Sequence, residues 1–464
     1  MTAKSPRNSS ILLVNPWIHD FAAFDFWAKP LGLLMIGAML RERGGAVNLV
    51  DCMDVSHPAM ISAGLLPRKR AGSGAGNFFR LHSAKPAVLA AIDRPYFRYG
   101  MHPDIFLDVL DKIERPDTIF VTCGMTYWYL GAFEAIEILQ AKFPGAPIIL
   151  GGVYPTLCGE HAQRNSGATF VMQGPFEKYS PAILGAFAGS WGLGVAPFAN
   201  WAKGPRPCLD LYPALEHAPI MTSRGCPFQC SYCGVRRLCP AYEKRSVESV
   251  LDEIQYWYAD KGVRNFAIYD DAIMADMEGH LIPLLEGIAR LGLPLKFHAA
   301  SGLHLRGIDK EVGRLLRLAG FATIRLGLET HLDESRPSGD RKAKADETAS
   351  AVNALKEAGY DSREIGIYLL VGLPGQDVSQ VEDAVDFALA LGARPHLAEY
   401  SPIPGSAMWD QAVATSRFDL TAEPLFHNNS LFPCVPEEKD RLRIVALRNR
   451  LRELFRPRKR GRQE

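Results

Sequence analysis

No apolar run in this 464-residue chain reaches the roughly 18 residues that a membrane-spanning helix requires. The apolar stretch ahead of Pro16 is likewise shorter than a secretory core of about 7 to 15 residues, so neither a signal peptide nor a membrane span is expected. Charge of one sign is also missing: 52 Lys and Arg stand against 51 Asp and Glu, a formal net charge of +1. That balance provides no global field for nucleic acid or an anionic membrane, and neither is an expected partner. Cysteine is scarce and odd in number, at nine. In a cytoplasmic protein, the expected location here, such thiols are reduced groups or metal ligands rather than a disulfide framework.

What is present is a composition for burial, 47% hydrophobic and 22% charged, over a length that predicts two domains. In the N-terminal half, "ILLVNP", "AVNLVDCMD", "DTIFVTCGM", "IILGGVYPT" and "ATFVMQG" read as strands. Helical stretches such as "LGLLMIGAMLRERGG" and "GAFEAIEILQAKFPGAP" alternate with them, which predicts a Rossmann-like, flavodoxin-like parallel sheet within residues 1–187. Residues 54–115 interrupt the alternation and read as a functional insertion, its "AGSGAG" as a flexible surface hairpin.

A Pro- and Trp-containing linker is expected over 188–217. Beyond it "APIMTS", "RNFAIYD", "LKFHAA", "TIRLGLE", "IGIYLLVG" and "HLAEYSP" mark six strands between 218 and 410, a partial (β/α)6 TIM-type barrel with its active site at the C-terminal strand ends. A C-terminal extension, 411–464, ends in a helix docked by Leu447, Leu451 and Leu454 and a solvated basic tail.

The densest signal is "SRGCPFQCSYCGVRRLC", which follows the first barrel strand. Cys226, Cys230 and Cys233 are spaced C-x3-C-x2-C, and three thiolates from one tight loop can hold three irons of a 4Fe-4S cluster with the fourth iron open. Gly225 and Pro227 suit such a turn. A closed zinc site recruiting Cys239, or plain structural cysteines, are the alternatives that the spacing leaves open.

With Tyr232 ahead of the last cysteine, the motif resembles the signature of the radical S-adenosylmethionine enzymes, over residues 215 to 410. The resemblance implies a 4Fe-4S cluster on Cys226, Cys230 and Cys233 whose open iron chelates S-adenosylmethionine, and radical chemistry begun by reductive cleavage of that cofactor. It also implies cofactor contacts from Tyr232, from Asp270 or Asp271 after the second strand, from Ser301 after the third, from Glu329 after the fourth and from Leu370 in "YLLVGLPGQ". A small-molecule substrate and a reductant such as flavodoxin or ferredoxin are the implied partners. Taken alone, Asp271 and Glu329 also suit helix N-caps, and His298 and His304 read as satisfied structural histidines.

The N-terminal half resembles the cobalamin-binding domain that often precedes this barrel, through Asn15, Asp51, Gly151, Gly152 and Tyr154 at the strand ends. Cobalamin is therefore the third implied cofactor, although the D-x-H-x-x-G motif that supplies histidine to cobalt is absent. Methylation, rearrangement or oxidation of a metabolite is the implied activity. A corrin-free radical enzyme and a non-catalytic iron-sulfur or zinc protein are the rival readings.

Overall fold

The run Ile11–Val14 is buried almost completely, as a strand covered by helices on both faces of a parallel sheet must be. In the computed structural model, which describes residues 9–179, 183–185, 198, 200–330 and 345–456, this run is the second strand of a five-stranded sheet. The basic tail 457–464 and most of 188–199, the start of the expected linker, lie outside the described residues. The chain divides into two compact units, the first made of Met1–Cys226 and Gly234–Asp271, the second of Pro227–Cys233 and Ala272–Glu464.

In the first unit the strands are β1 (Ser10–Asn15), β2 (Ile18–Asp20), β3 (Ala46–Asp51), β4 (Arg80–His82), β5 (Phe97–Tyr99), β6 (Thr118–Cys123), β7 (Ile148–Gly152) and β8 (Phe170–Val171). The large sheet runs β3-β1-β6-β7-β8, all parallel, with the order reversing between β1 and β6 as in a flavodoxin-like fold. The helix Tyr129–Lys142 packs unusually close: a Cβ on Gly131 would lie 1.9 Å from the Trp17 carbonyl oxygen. Small size at Gly131 thus sets how β1 continues into β2.

The insertion builds β4 and β5 onto β2 as an antiparallel sheet. Its backbone also closes over the end of β3, the Met101 amide donating to the Cys52 carbonyl at 2.6 Å. Arg98 is buried beside it, its guanidinium 4.0 Å from the Trp17 ring. The expected flexible hairpin is corrected here: Gly74, Ala75 and Gly76 are buried, and a Cβ on Gly76 would stand 2.7 Å from the Arg70 backbone. The glycines serve close packing, because Arg70 is held there by Asp25 and Glu216 at 3.0 and 2.7 Å.

The first unit also contains β9 (Ala218–Ile220), β10 (Ser223–Arg224), β11 (Glu243–Lys244) and β12 (Asn265–Ile268), with β9 and β12 parallel and β10 and β11 antiparallel. The helix Val247–Lys261 between β11 and β12 starts at a Ser246 cap and stops at left-handed Gly262.

In the second unit β13 (Lys296–His298), β15 (Phe321–Glu329), β16 (Ile365–Val371) and β17 (Arg394–Glu399) pair in parallel in that order, and β14 (Leu303–His304) pairs with the later half of β15. All six strands expected between 218 and 410 are thus present. Ile365, Ile367 and Leu369 on one face of β16 are inaccessible to water, and Gly366, Tyr368 and Leu370 occupy the other face. Among the described residues no helix is long and apolar enough to cross a membrane.

The C-terminal helix Glu438–Leu454 docks through Ile444, Leu447 and Leu451, whereas Leu454, expected in that stripe, is 58% exposed. The helix ends at Leu454 and Phe455 takes over, its ring 5.0 Å from the Arg394 guanidinium. Gly131→Val is expected to cost more than about 2 kcal/mol, since the clash is with backbone that cannot rotate away. A urea unfolding curve would check it, with Gly32→Ala, where a Cβ meets nothing within 4 Å, as the permissive control.

Candidate functional site

The cysteine loop is an excursion whose two ends are tied together. Arg224 of β10 pairs with Glu243 of β11, so residues 225–242 leave and return through one short ladder. Gly225 opens the loop at φ +81, and a Cβ there would lie 2.1 Å from the Ala241 carbonyl oxygen. No side-chain-bearing residue fits this turn.

Two adjacent carboxylates hold the start of the loop. Asp270 is buried, and its Oδ1 accepts from the Thr222 amide at 2.7 Å. Its Oδ2 accepts from the Thr222 hydroxyl, the Ser223 amide and the Ser223 hydroxyl at 2.7, 2.6 and 2.5 Å. Burial pushes this carboxyl up to about 6, against the downward pull of those four hydrogen bonds. Asp271 is exposed and accepts from the Gly225 amide at 2.9 Å through Oδ2. Of the two acids named from the sequence, the first is saturated within the fold and the second reaches solvent.

Arg224 adds a third brace, which sequence reasoning missed. Its guanidinium meets Glu177 at 2.7 Å and Glu243 at 3.2 Å, and Glu243 also accepts from the Trp201 indole at 2.6 Å. The available signal was an arginine directly after an otherwise uncharged strand.

Cys226, Cys230 and Cys233 are all half-buried, and the Cys233 amide donates to the Cys230 carbonyl at 3.1 Å, which curls the loop. None of the nine cysteines forms a disulfide. Burial raises the thiols of Cys52, Cys123, Cys208, Cys239 and Cys434, Cys239 to about 11, so these five are protonated at neutral pH and poor ligands. Among the described residues no three His, Cys, Asp or Glu side chains gather around one point that a single ion could occupy. A four-iron cluster with one open iron takes three thiolates, one per iron, whereas a closed zinc site takes four ligands, so three cysteines on one loop suit the cluster.

In the second unit Tyr232 packs against Leu370, Leu373, Tyr400 and Met408, and the Met408 amide donates to the Ser231 carbonyl at 2.9 Å. Phe228 stacks on His304 with ring centroids 4.9 Å apart. Glu329 ends β15 after an irregular register step and sits buried at φ +66, a conformation that a glutamate rarely adopts. Ser301 is exposed in the turn after β13, and His298 is hydrogen-bonded to Thr323 at 2.9 Å. The loop after β16 is locked by Gln376, which donates to the Leu370 carbonyl at 2.9 Å and accepts from the Gly372 amide at 2.8 Å.

The residues named at the parallel sheet are mostly engaged within the fold. Asn15 donates to Asp51 Oδ1 at 2.6 Å and the Tyr212 hydroxyl to Oδ2 at 2.5 Å, with Lys29 Nζ 3.9 Å from the Tyr212 ring centroid. Tyr154 is buried, its hydroxyl 2.6 Å from His161 Nδ1. Gly151 is buried, while Gly152 is exposed at the end of β7 at φ +104, where a Cβ would strike the Cys123 carbonyl at 2.6 Å.

Residues 220–388 match the model of the Radical SAM superfamily. The chain is 24% identical over 350 residues to an uncharacterized methyltransferase of Pyrococcus horikoshii, covering 68% of this chain and 74% of that protein. It is 24% identical to the cytidylyl-2-hydroxyethylphosphonate methyltransferase of Streptomyces wedmorensis, covering 88% of this chain and 82% of that one. In fold it is similar to the radical S-adenosylmethionine methyltransferase TsrM of Kitasatospora setae with cobalamin and a [4Fe-4S] cluster bound, at TM-score 0.62 and 17% identity over 91% of this chain and 81% of that chain.

Asp270→Ala removes the acceptor of four buried hydrogen bonds and is expected to cost about 3 kcal/mol or more, and Asp271→Ala less than about 1 kcal/mol, in anaerobic urea unfolding. The Asp270 carboxyl also sets a pH dependence. A carboxyl raised by folding contributes fully below its ordinary value of 3.8 and loses that contribution as pH rises through about 6. The stability of wild type relative to Asp270→Asn should therefore be greater at about pH 5 than at about pH 7.5, measured on the same unfolding curves.

Proposed function

Because this chain belongs to the radical S-adenosylmethionine superfamily, we propose that it is a corrin-assisted methyltransferase acting on a small molecule. The observation that carries the reading is the cysteine loop: three half-buried thiols on a segment closed by β10 and β11, with the glycine that only a glycine can be. Cys226, Cys230 and Cys233 would hold a 4Fe-4S cluster. When bound, the cluster supplies the electron that cleaves S-adenosylmethionine, and the corrin supplies a carrier for the methyl group. An external one-electron donor of the flavodoxin or ferredoxin kind would keep the cluster reduced.

The chain's own residues would orient S-adenosylmethionine. Asp271 has an oxygen outside its bond to Gly225, and Asp270 supports it by fixing the strand end. Glu329, held in its uncommon conformation, offers a buried carboxylate in the second unit, with Leu370 and Tyr232 as apolar wall and Ser301 as a further polar contact. Methyl transfer is favoured over other radical outcomes because two relatives, aligned over 68% and 88% of the chain, are named as methyltransferases.

Cobalamin would rest on the ends of β6 and β7, around Gly151 and Gly152, since the insertion covers the end of β3. Asn15, Asp51 and Tyr154 would support that surface from beneath, being already bonded within the unit. Their engagement equally favours a second reading, a radical enzyme whose sheet holds no corrin.

The test is anaerobic reconstitution with iron, sulfide and hydroxocobalamin, followed by desalting and metal analysis. Wild type should retain both metals and, with dithionite, convert S-adenosylmethionine to 5'-deoxyadenosine and S-adenosylhomocysteine. Each of Cys226→Ala, Cys230→Ala and Cys233→Ala should abolish both products while Cys239→Ala keeps them. Cluster loss confined to Cys239→Ala would overturn the ligand set, and iron without cobalt would leave the corrin-free enzyme.

A further inference from the structure

We propose that Arg325, Tyr368 and His396 form a subsite for an anionic oxygen group of the substrate, on the face of the second unit's sheet that also carries Leu370. Register places them together: Arg325 of β15 and Arg394 of β17 both flank Gly366 of β16, and Gly327 and His396 flank Tyr368. With alternating side chains, Arg325, Gly366, Tyr368, Leu370 and His396 share one face. Leu370 and Ala398 on that face pack in the same cluster as Tyr232 of the cysteine loop. The subsite therefore lies two to four residues, roughly 7 to 13 Å, further down the strands than that contact.

Gly366 makes the cradle. A Cβ there would sit 2.8 Å from Arg325 Cδ, 2.8 Å from His396 Cδ2 and 2.9 Å from an Arg325 guanidinium nitrogen, so the two side chains meet over a strand that has none. Tyr368 borders the cradle, its ring centroid 5.9 Å from that of His396, while its hydroxyl donates to the Ala300 carbonyl at 2.9 Å.

The charges are unbalanced. Arg325 donates to the carbonyls of Ile324 and Glu364, at 2.9 and 3.4 Å, with the Tyr368 side chain as a further partner, and among the described residues no carboxylate pairs with it. His396 Nε2 is buried without a hydrogen-bond partner. Burial first, then the charges of Arg325 and Arg394, hold the imidazole down to about 3, so it is neutral and has one N–H to give. Arg325 and Arg394 are themselves lowered, mainly by burial. A half-buried guanidinium without a counter-ion costs stability, and a carboxylate or phosphoryl group would restore balance through charge-assisted hydrogen bonds. Calling that group part of a substrate rests on the enzymatic reading above.

The test uses the anaerobically reconstituted full chain and its thermal midpoint in potassium chloride, with inorganic phosphate, methylphosphonate or acetate substituted at equal ionic strength. Wild type should show a saturable rise with one probe class, phosphoryl or carboxylate, and the responding class names the substrate group. Arg325→Met should melt higher than wild type in chloride and weaken the probe on the order of tenfold or more. His396→Phe, which keeps the ring volume, should also weaken it and guards against misfolding of the first variant. A midpoint for Arg325→Met below wild type with an unchanged probe response would make the arginine structural and overturn the proposal. So would a wild type that responds to no probe beyond the chloride control. Failure of the methyltransferase reading would appear separately, as absent turnover of S-adenosylmethionine in a protein whose midpoint still responds to the probe.

Discussion

A single buried carboxylate organises the approach to the cysteine loop. Asp270 ends β12 and accepts four hydrogen bonds from the two residues that follow β9, which fixes Thr222 and Ser223 before the chain turns at Gly225. Without those bonds, the amides and hydroxyls of two buried residues would lose the carboxylate that accepts from them, a loss that costs stability. The ladder between Arg224 and Glu243, the Gly225 turn and the Asp271 bond all begin from this fixed point.

The same logic governs the parallel sheet. Asp51 at the end of β3 receives Asn15, Tyr212 and the Met53 amide, so three separate segments converge on one acid. Gly131 lets a helix touch the Trp17 carbonyl, and Arg98 stacks on the Trp17 ring. Polar satisfaction and close approach thereby set the end of β1, and the insertion closes over the end of β3 through Met101 and Cys52.

The second unit places its irregularities at strand ends. Glu329 at positive φ and the Gln376 clamp on the loop after β16 both lie where the strands stop. Such conformations persist only where the surrounding structure imposes them. Lower on the same sheet face, Gly366 lets the Arg325 and His396 side chains from neighbouring strands close over it. An ordered strand pattern thus carries two kinds of polar equipment at different depths.

By itself the sequence determined the strand and helix order, because burial on both sheet faces demands continuous apolar runs and glycine must stand where φ turns positive. It also identified the cysteine loop, since C-x3-C-x2-C beside Gly and Pro crowds three thiols onto one turn and resembles the radical S-adenosylmethionine signature. It did not separate Asp270 from Asp271, which differ only in which one the fold turns inward. Nor did it show that Asn15, Asp51 and Tyr154 are bonded within their unit, that Gly74 and Gly76 are packed, or that Leu454 is exposed. Those outcomes, and the meeting of Arg325 with His396 over Gly366, depend on which distant segments share a surface. Tertiary packing decides that, because a side chain's partners are set by strand register and close approach, and neither is written in its own local sequence.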